Sequence, residues 1–145
     1  RRIMGDYKLR GADVVAGARF YDCIGKSAFP AGAVHTADNH TLGSVVQEGE
    51  VGGMAPNGGS YDIPYRCLVP LKVENFLVGG KHVSTDRAAY LRFLQETVVT
   101  GQAAGAAAGL CVKKGVTPRE LEKEEHVKDL QDFLRTQGVI LEGVN

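Results

Sequence analysis

The chain has 145 residues and balances 17 Lys and Arg against 17 Asp and Glu. It is long enough for one domain with a real core, and it lacks the basic excess of a dedicated nucleic-acid or anionic-membrane surface. No run of eighteen apolar residues occurs, so no membrane span is expected; the nearest candidate, residues 98–112, is too short and contains Thr100 and Gln102. Cys23, Cys67 and Cys111 are odd in number, far apart and without metal spacing, which argues for buried free thiols rather than disulfides or a metal site.

In chain order, residues 1–10 read as an edge strand leading to a turn. The chain opens Arg1-Arg2-Ile3-Met4; no signal peptide is expected within it, and it is expected to be cut from something larger. Residues Ala12 to Ile24 approximate a 3.6-residue apolar period through Val14, Val15, Ala18, Tyr21 and Cys23 or Ile24, and predict an amphipathic helix containing Gly17. Residues 26–30 break it, and a short strand is expected from Ala33 to Thr36. Residues 37–60 are weakly patterned and predict a long loop, with one short strand at Ser44–Gln47.

Residues 61–70 read as extended, because Asp62-Ile63-Pro64 disfavours helix before the proline. Val73 to Val78 predicts a short apolar strand ended by Gly79-Gly80. A long helix is expected from about Tyr90 to Lys114, with Gly115 as its C-cap after two lysines. Thr117-Pro118-Arg119-Glu120 combines an N-cap, a first-turn proline and a capping-box glutamate. A last helix follows, with Leu121, Val127, Leu130, Phe133 and Leu134 inward and Gly138 at its end. His126 falls on that helix's polar face.

Three constellations carry chemical content. Gly101, Gly105 and Gly109 recur every four residues with Ala104 and Ala108 between them, so one helix face is nearly stripped of side chains. Each helical glycine costs roughly 1 kcal/mol relative to alanine. Close approach of a backbone or a planar ligand compensates for that, and a tightly packed core helix is the plainer alternative. Leu77-Val78-Gly79-Gly80-Lys81 can turn backbone N–H groups toward a polar ligand, or can be an ordinary turn. His82 to Glu96 gathers His82, Ser84, Thr85, Asp86, Arg87, Arg92, Gln95 and Glu96 ahead of a helix start, where backbone donors and the dipole favour an anion. A solvated loop is the alternative. No GxGxxG, Walker, HExxH or GxSxG motif occurs.

The chain resembles the C-terminal part of a family of FAD-dependent oxidoreductases with a glutathione-reductase-like FAD-binding fold. The resemblance rests on Arg2-Ile3-Met4-Gly5-Asp6-Tyr7, Asp22-Cys23-Ile24, the segment YDIPYRCLVP at 61–70, the strand and glycine pair at 74–80, and TGQAAG at 100–105. The YDIPYR and TGQAAG segments are specific in this order and spacing. The resemblance implies a mixed α/β fold, the C-terminal fragment of a two-domain flavoprotein without its N-terminal Rossmann unit. Residues 1–72 would belong to the substrate or cap region and 73–145 to the FAD-binding domain.

The resemblance further implies that the strand ending in Gly79-Gly80 passes the ribityl chain of FAD, and that the start of the long helix faces the reduced flavin. Gly79, Gly80, Lys81, Gln95, Glu96, Thr97 and Gly101 are then the cofactor-side residues. His82, Arg87 and Arg92 are candidates for substrate polarisation or proton transfer, and Tyr65 and Arg66 for the substrate side. Lys81 stands where many relatives have arginine. The expected partners are the missing FAD-binding domain and a small-molecule substrate of unread identity, with self-association through a bared surface. Alone, the chain is expected to bind FAD weakly or not at all and to be inactive. The alternative is a non-catalytic remnant serving as an interaction or structural module. No compartment is legible; cytoplasm is the default.

Overall fold

The computed structural model describes residues 3–35, 42–44 and 51–142. Three helices are assigned among them: α1 (Gly11–Val15), α2 (Leu94–Lys114) and α3 (Glu124–Thr136). The strands are β1 (Cys23–Ser27), β2 (Ala33–His35), β3 (Leu42–Ser44) and β4 (Tyr61–Pro64). They form two antiparallel pairs, β1 with β4 and β2 with β3. The class is small mixed α/β.

The central scaffold is the β1–β4 ladder. Lys26 pairs with Asp62 and Ser27 with Tyr61, and the register shifts between Cys23 and Gly25. Ile24 and Ile63 are fully buried there. Around the ladder one core draws Leu9 and Val14 from the N-terminal region, Leu68 and Leu91 from the connections, and Leu121, Leu130 and Leu134 from the C-terminal end. α2 contributes only Ala103, Ala107 and Cys111 as its apolar buried residues. That inner face is small enough for the helix to pack on β1, and α3 packs on α2.

Several expectations change. The helix expected over Ala12–Ile24 is confined to Gly11–Val15. Gly17 adopts φ +60°, a left-handed turn that ends the helix at little steric cost, and Cys23 and Ile24 then enter β1. The apolar period was sampled across two elements. Val73 to Val78 forms no strand: Val73 and Phe76 are about half exposed, and Asn75 turns left-handed at φ +53°. Of the extended reading at 61–70, only Tyr61–Pro64 forms a strand; Tyr65–Cys67 is a 3-10 turn, and Pro70 makes an isolated bridge. The edge strand at the start is reduced to two isolated bridges, Gly5 with Pro70 and Leu9 with Thr85. β2 matches the short strand expected from Ala33. Residues 45–47 of the strand expected at Ser44–Gln47 lie outside the described residues.

α2 begins four residues later than expected and ends on Gly115 at φ +68°, whose N–H returns to the Cys111 carbonyl. The Thr117–Glu120 box forms, with the Glu120 carboxylate accepting from Thr117 N–H at 2.8 Å and from its hydroxyl at 3.0 Å. It caps a 3-10 turn at Glu120–Glu122, and α3 starts only at Glu124 because Lys123 is extended, at ψ 137°. Leu121, Val127, Leu130 and Leu134 are buried, whereas Phe133 is half exposed. His126 is half buried, with Lys114 Nζ 3.4 Å from its Nδ1.

Candidate functional site

The glycine pair and the long helix meet. Gly79 is extended, and Gly80 opens a 3-10 turn, Gly80–His82, that packs on α2. A Cβ on Gly79 would stand 3.1 Å from the Gly101 Cα and 3.3 Å from the Thr100 carbonyl oxygen, so the backbone of α2 would have to give by a few tenths of an ångström. Gly80 has φ +67°, and its N–H donates to Thr100 Oγ1 at 2.9 Å. The buried Thr100 hydroxyl donates in turn to the Glu96 carbonyl at 2.8 Å. Thr100 therefore ties the turn to the first two turns of α2. Thr100 opens the TGQAAG segment and is absent from the residues expected at the site.

Gly101 admits the chain at Gly79 on one flank and leaves space on the other. Nothing lies within 4 Å of a Cβ built on Gly80, Gly101, Gly105 or Gly109. Leu94, Val98 and Val112 stand exposed along the same side of the helix, at 75%, 57% and 85%. At 3.6 residues per turn, positions 94, 98, 101, 105, 109 and 112 form one stripe. The buried positions Glu96, Thr100, Ala103, Ala107 and Cys111 lie opposite. The stripped face expected from the glycine period thus points outward, not into the core.

The start of α2 is held by charge and aromatic contact. Glu96 is 3% exposed. Its Oε1 accepts from Ser27 Oγ at 2.6 Å and Tyr61 Oη at 3.3 Å, and its Oε2 from Phe93 N–H at 3.3 Å. Burial raises its pKa, opposed by the hydrogen bonds from Ser27, Phe93 and Tyr61. Phe93 stacks on Phe29 with centroids 3.6 Å apart, and the Arg92 guanidinium lies 4.6 Å over the Phe93 ring. Gln95 is exposed and Thr97 half buried on the same first turn.

The polar crossing before α2 is woven into the fold. His82 accepts from Ile3 N–H through its carbonyl at 3.1 Å, and Ser84 N–H donates to the Cys67 carbonyl at 2.9 Å. Asp86 accepts from Gly11 N–H at 3.0 Å and Ala89 N–H at 2.7 Å, pinning the start of α1. Lys81, His82 and Arg87 remain exposed, the first two in the turn opened by Gly80.

Tyr65 and Arg66 have internal partners. The fully buried Tyr65 donates its hydroxyl to the Pro118 carbonyl at 2.9 Å. Arg66 grips the buried Asp22 with Nε at 2.9 Å and Nη2 at 3.3 Å, and its guanidinium lies 5.1 and 5.0 Å over the Tyr7 and Tyr21 rings. The cysteines are buried and free, and burial pushes the Cys23 and Cys67 thiols up to about 12, far from thiolate chemistry at neutral pH. Among the described residues no cluster of metal-ligating side chains occurs, and no helix is long and apolar enough to cross a membrane.

A glycine turn seated on Thr100 and Gly101 and an outward small-residue face thus adjoin on α2. The sequence model of the FAD dependent oxidoreductase family matches residues 1–134. The chain belongs to that family, whose cofactor is FAD, and its function is of the flavin-dependent oxidoreductase type. No curated protein and no solved structure matches it.

Proposed function

We propose that this chain forms the flavin-end wall, and part of the substrate region, of an FAD-dependent oxidoreductase of glutathione-reductase-like architecture, with hydride transfer between a small substrate and the flavin. The observation that carries this reading is the Gly79–Gly80 turn locked onto Thr100 and Gly101, with open space over Gly80, Gly101 and Gly105. FAD, when bound, supplies a two-electron acceptor. The residues here fit its ring end: a Cβ at Gly101 or Gly105 would fill the space a planar group needs.

The first three N–H groups of α2, on Leu94, Gln95 and Glu96, have no intrahelical acceptor, and the helix dipole makes this end favourable to negative charge. Lys81 and His82 add exposed donors beside the glycine turn. His82, Arg87 and Arg92 are the candidates for orienting substrate or moving a proton. Gln95, Glu96 and Thr97 define the helix start, Glu96 by its capping bond to Phe93. Tyr65 and Arg66 serve the substrate side through the wall they stiffen. Nothing in the sequence offers the GxGxxG cradle for a pyrophosphate, so the ADP half belongs to a separate nucleotide-binding unit acting as partner.

The exposed stripe of Leu94, Val98 and Val112 also supports a second reading, a non-catalytic module pairing through α2 with a partner or with itself. Amide-resolved NMR of the chain titrated with FMN separates the two. The flavin reading expects shifts at Gly80, Leu94–Thr97 and Gly101, with weak affinity on the order of millimolar. Concentration-dependent shifts along 94–112 without flavin, and none with it, would support the second reading. Tight stoichiometric FAD binding would overturn the division of the site between two units.

A further inference from the structure

A recess of about 400 Å3 opens between the β1–β4 ladder, α3 and the tail that follows α3. On the ladder side, Lys26 and Asp62 are register partners, with Nζ and Oδ1 2.6 Å apart and side chains 9% and 5% exposed. Arg19 shares the same oxygen at 3.3 Å and donates to the Ser60 carbonyl at 2.7 Å. Asp62 Oδ2 accepts from Phe20 N–H at 3.0 Å. Two cations thus share one carboxylate: Lys26 is buried, and Arg19 is half exposed at the recess.

The second wall carries Arg135 of α3. It pairs with Asp132 and with Glu142 of the tail, and both carboxylates are largely exposed. Such exposed pairs are weak. Glu142 itself lines the recess, so the chain already seats one carboxylate on Arg135 there.

We propose that this recess binds a short aliphatic dicarboxylate. One carboxylate meets Arg19 beside the Lys26–Asp62 pair, and the other takes the place of Glu142 on Arg135. The lining is mainly polar, which disfavours bulky apolar ligands. Arg19 and Arg135 can each meet a carboxylate through a planar fork of donors.

The test is calorimetric titration of the chain with succinate, using succinamide as the neutral isostere and sulfate as the small-anion control. No flavin is added, so failure here leaves the flavin reading untouched. One succinate site is expected, with no succinamide binding. Arg135→Gln should weaken succinate about tenfold, the loss of one charge-assisted contact. Glu142→Gln should tighten it by freeing Arg135. Both positions are at the surface, so both variants should fold, which circular dichroism checks. Equal binding of succinamide overturns the proposal. So does sulfate binding as well as succinate with no response to either variant, which would mean an adventitious ion only. Absence of succinate binding by both the parent chain and Glu142→Gln overturns it as well.

Discussion

The β1–β4 ladder and the outer face of α2 solve opposite problems. At the ladder, buried carboxylates are ion-paired: Asp22 with Arg66, and Asp62 with Lys26 and Arg19. On α2 the outer face is bare at Gly101, Gly105 and Gly109, and among the described residues nothing lies within 4 Å of a Cβ added at any of the three. The two segments that carry the family resemblance divide along this line. YDIPYR supplies Asp62 and Arg66 to ion pairs with Arg19, Lys26 and Asp22, whereas TGQAAG builds a surface. Within TGQAAG, Thr100 and Ala103 face inward and Gly101 outward.

The ladder side is where substitution should cost most. Asp22→Asn leaves the Arg66 guanidinium without its carboxylate between two tyrosine rings. A loss of about 3 kcal/mol in urea denaturation is expected, the scale for breaking a buried ion pair from one side. A loss under about 1 kcal/mol would mean that the pair behaves as an ordinary surface pair. Next is the seam between the two regions. Gly79→Val drives a side chain into the Gly101 backbone and should cost about 2 kcal/mol, measured the same way; an unchanged midpoint would mean that the turn does not seat on α2.

A smaller, pH-dependent effect is expected at Glu122. Burial lifts its carboxyl from 4.5 to about 7 against the opposing Arg119 and Arg66 charges. The folded state therefore holds a proton that the unfolded chain has released between those values. Stability contributed by this group is fully present below pH 4.5 and is lost as pH rises through 7. Glu122→Gln should accordingly gain stability over the parent chain at pH 8 and lose that advantage at pH 4. Glu96, also raised, tilts both profiles alike and drops out of the difference. A flat difference across the window would contradict the burial of Glu122. Smallest of all is Leu94→Lys on the open stripe, expected within about 0.5 kcal/mol of the parent.

Much of this division was legible in the sequence. The four-residue glycine period located the stripped face, and the Thr117–Glu120 box located the approach to α3. Periodicity could not say whether the bare face points in or out, because small residues line both sides of α2: Ala103 and Ala107 inward, Gly101 and Gly105 outward. The Asp22–Arg66 pair joins residues 44 positions apart, and no local pattern reveals it. The Val14–Ile24 period misled because Gly17 ends the helix and Ile24 belongs to β1, so its apolar positions come from separate elements. Val73–Val78 has strand composition but no strand pairs with it among the described residues, and composition alone does not supply one.

The central claim is that the glycines of α2 serve what approaches its outer face and not the stability of this chain. Urea denaturation of the Gly101→Ala, Gly105→Ala, Gly109→Ala triple variant tests it most directly. With nothing within 4 Å of any of the three added methyl groups, the account predicts a gain of about 0.5–1 kcal/mol per site from helix propensity. A net loss of stability would contradict it, and would mean that the small face is packed within the chain itself.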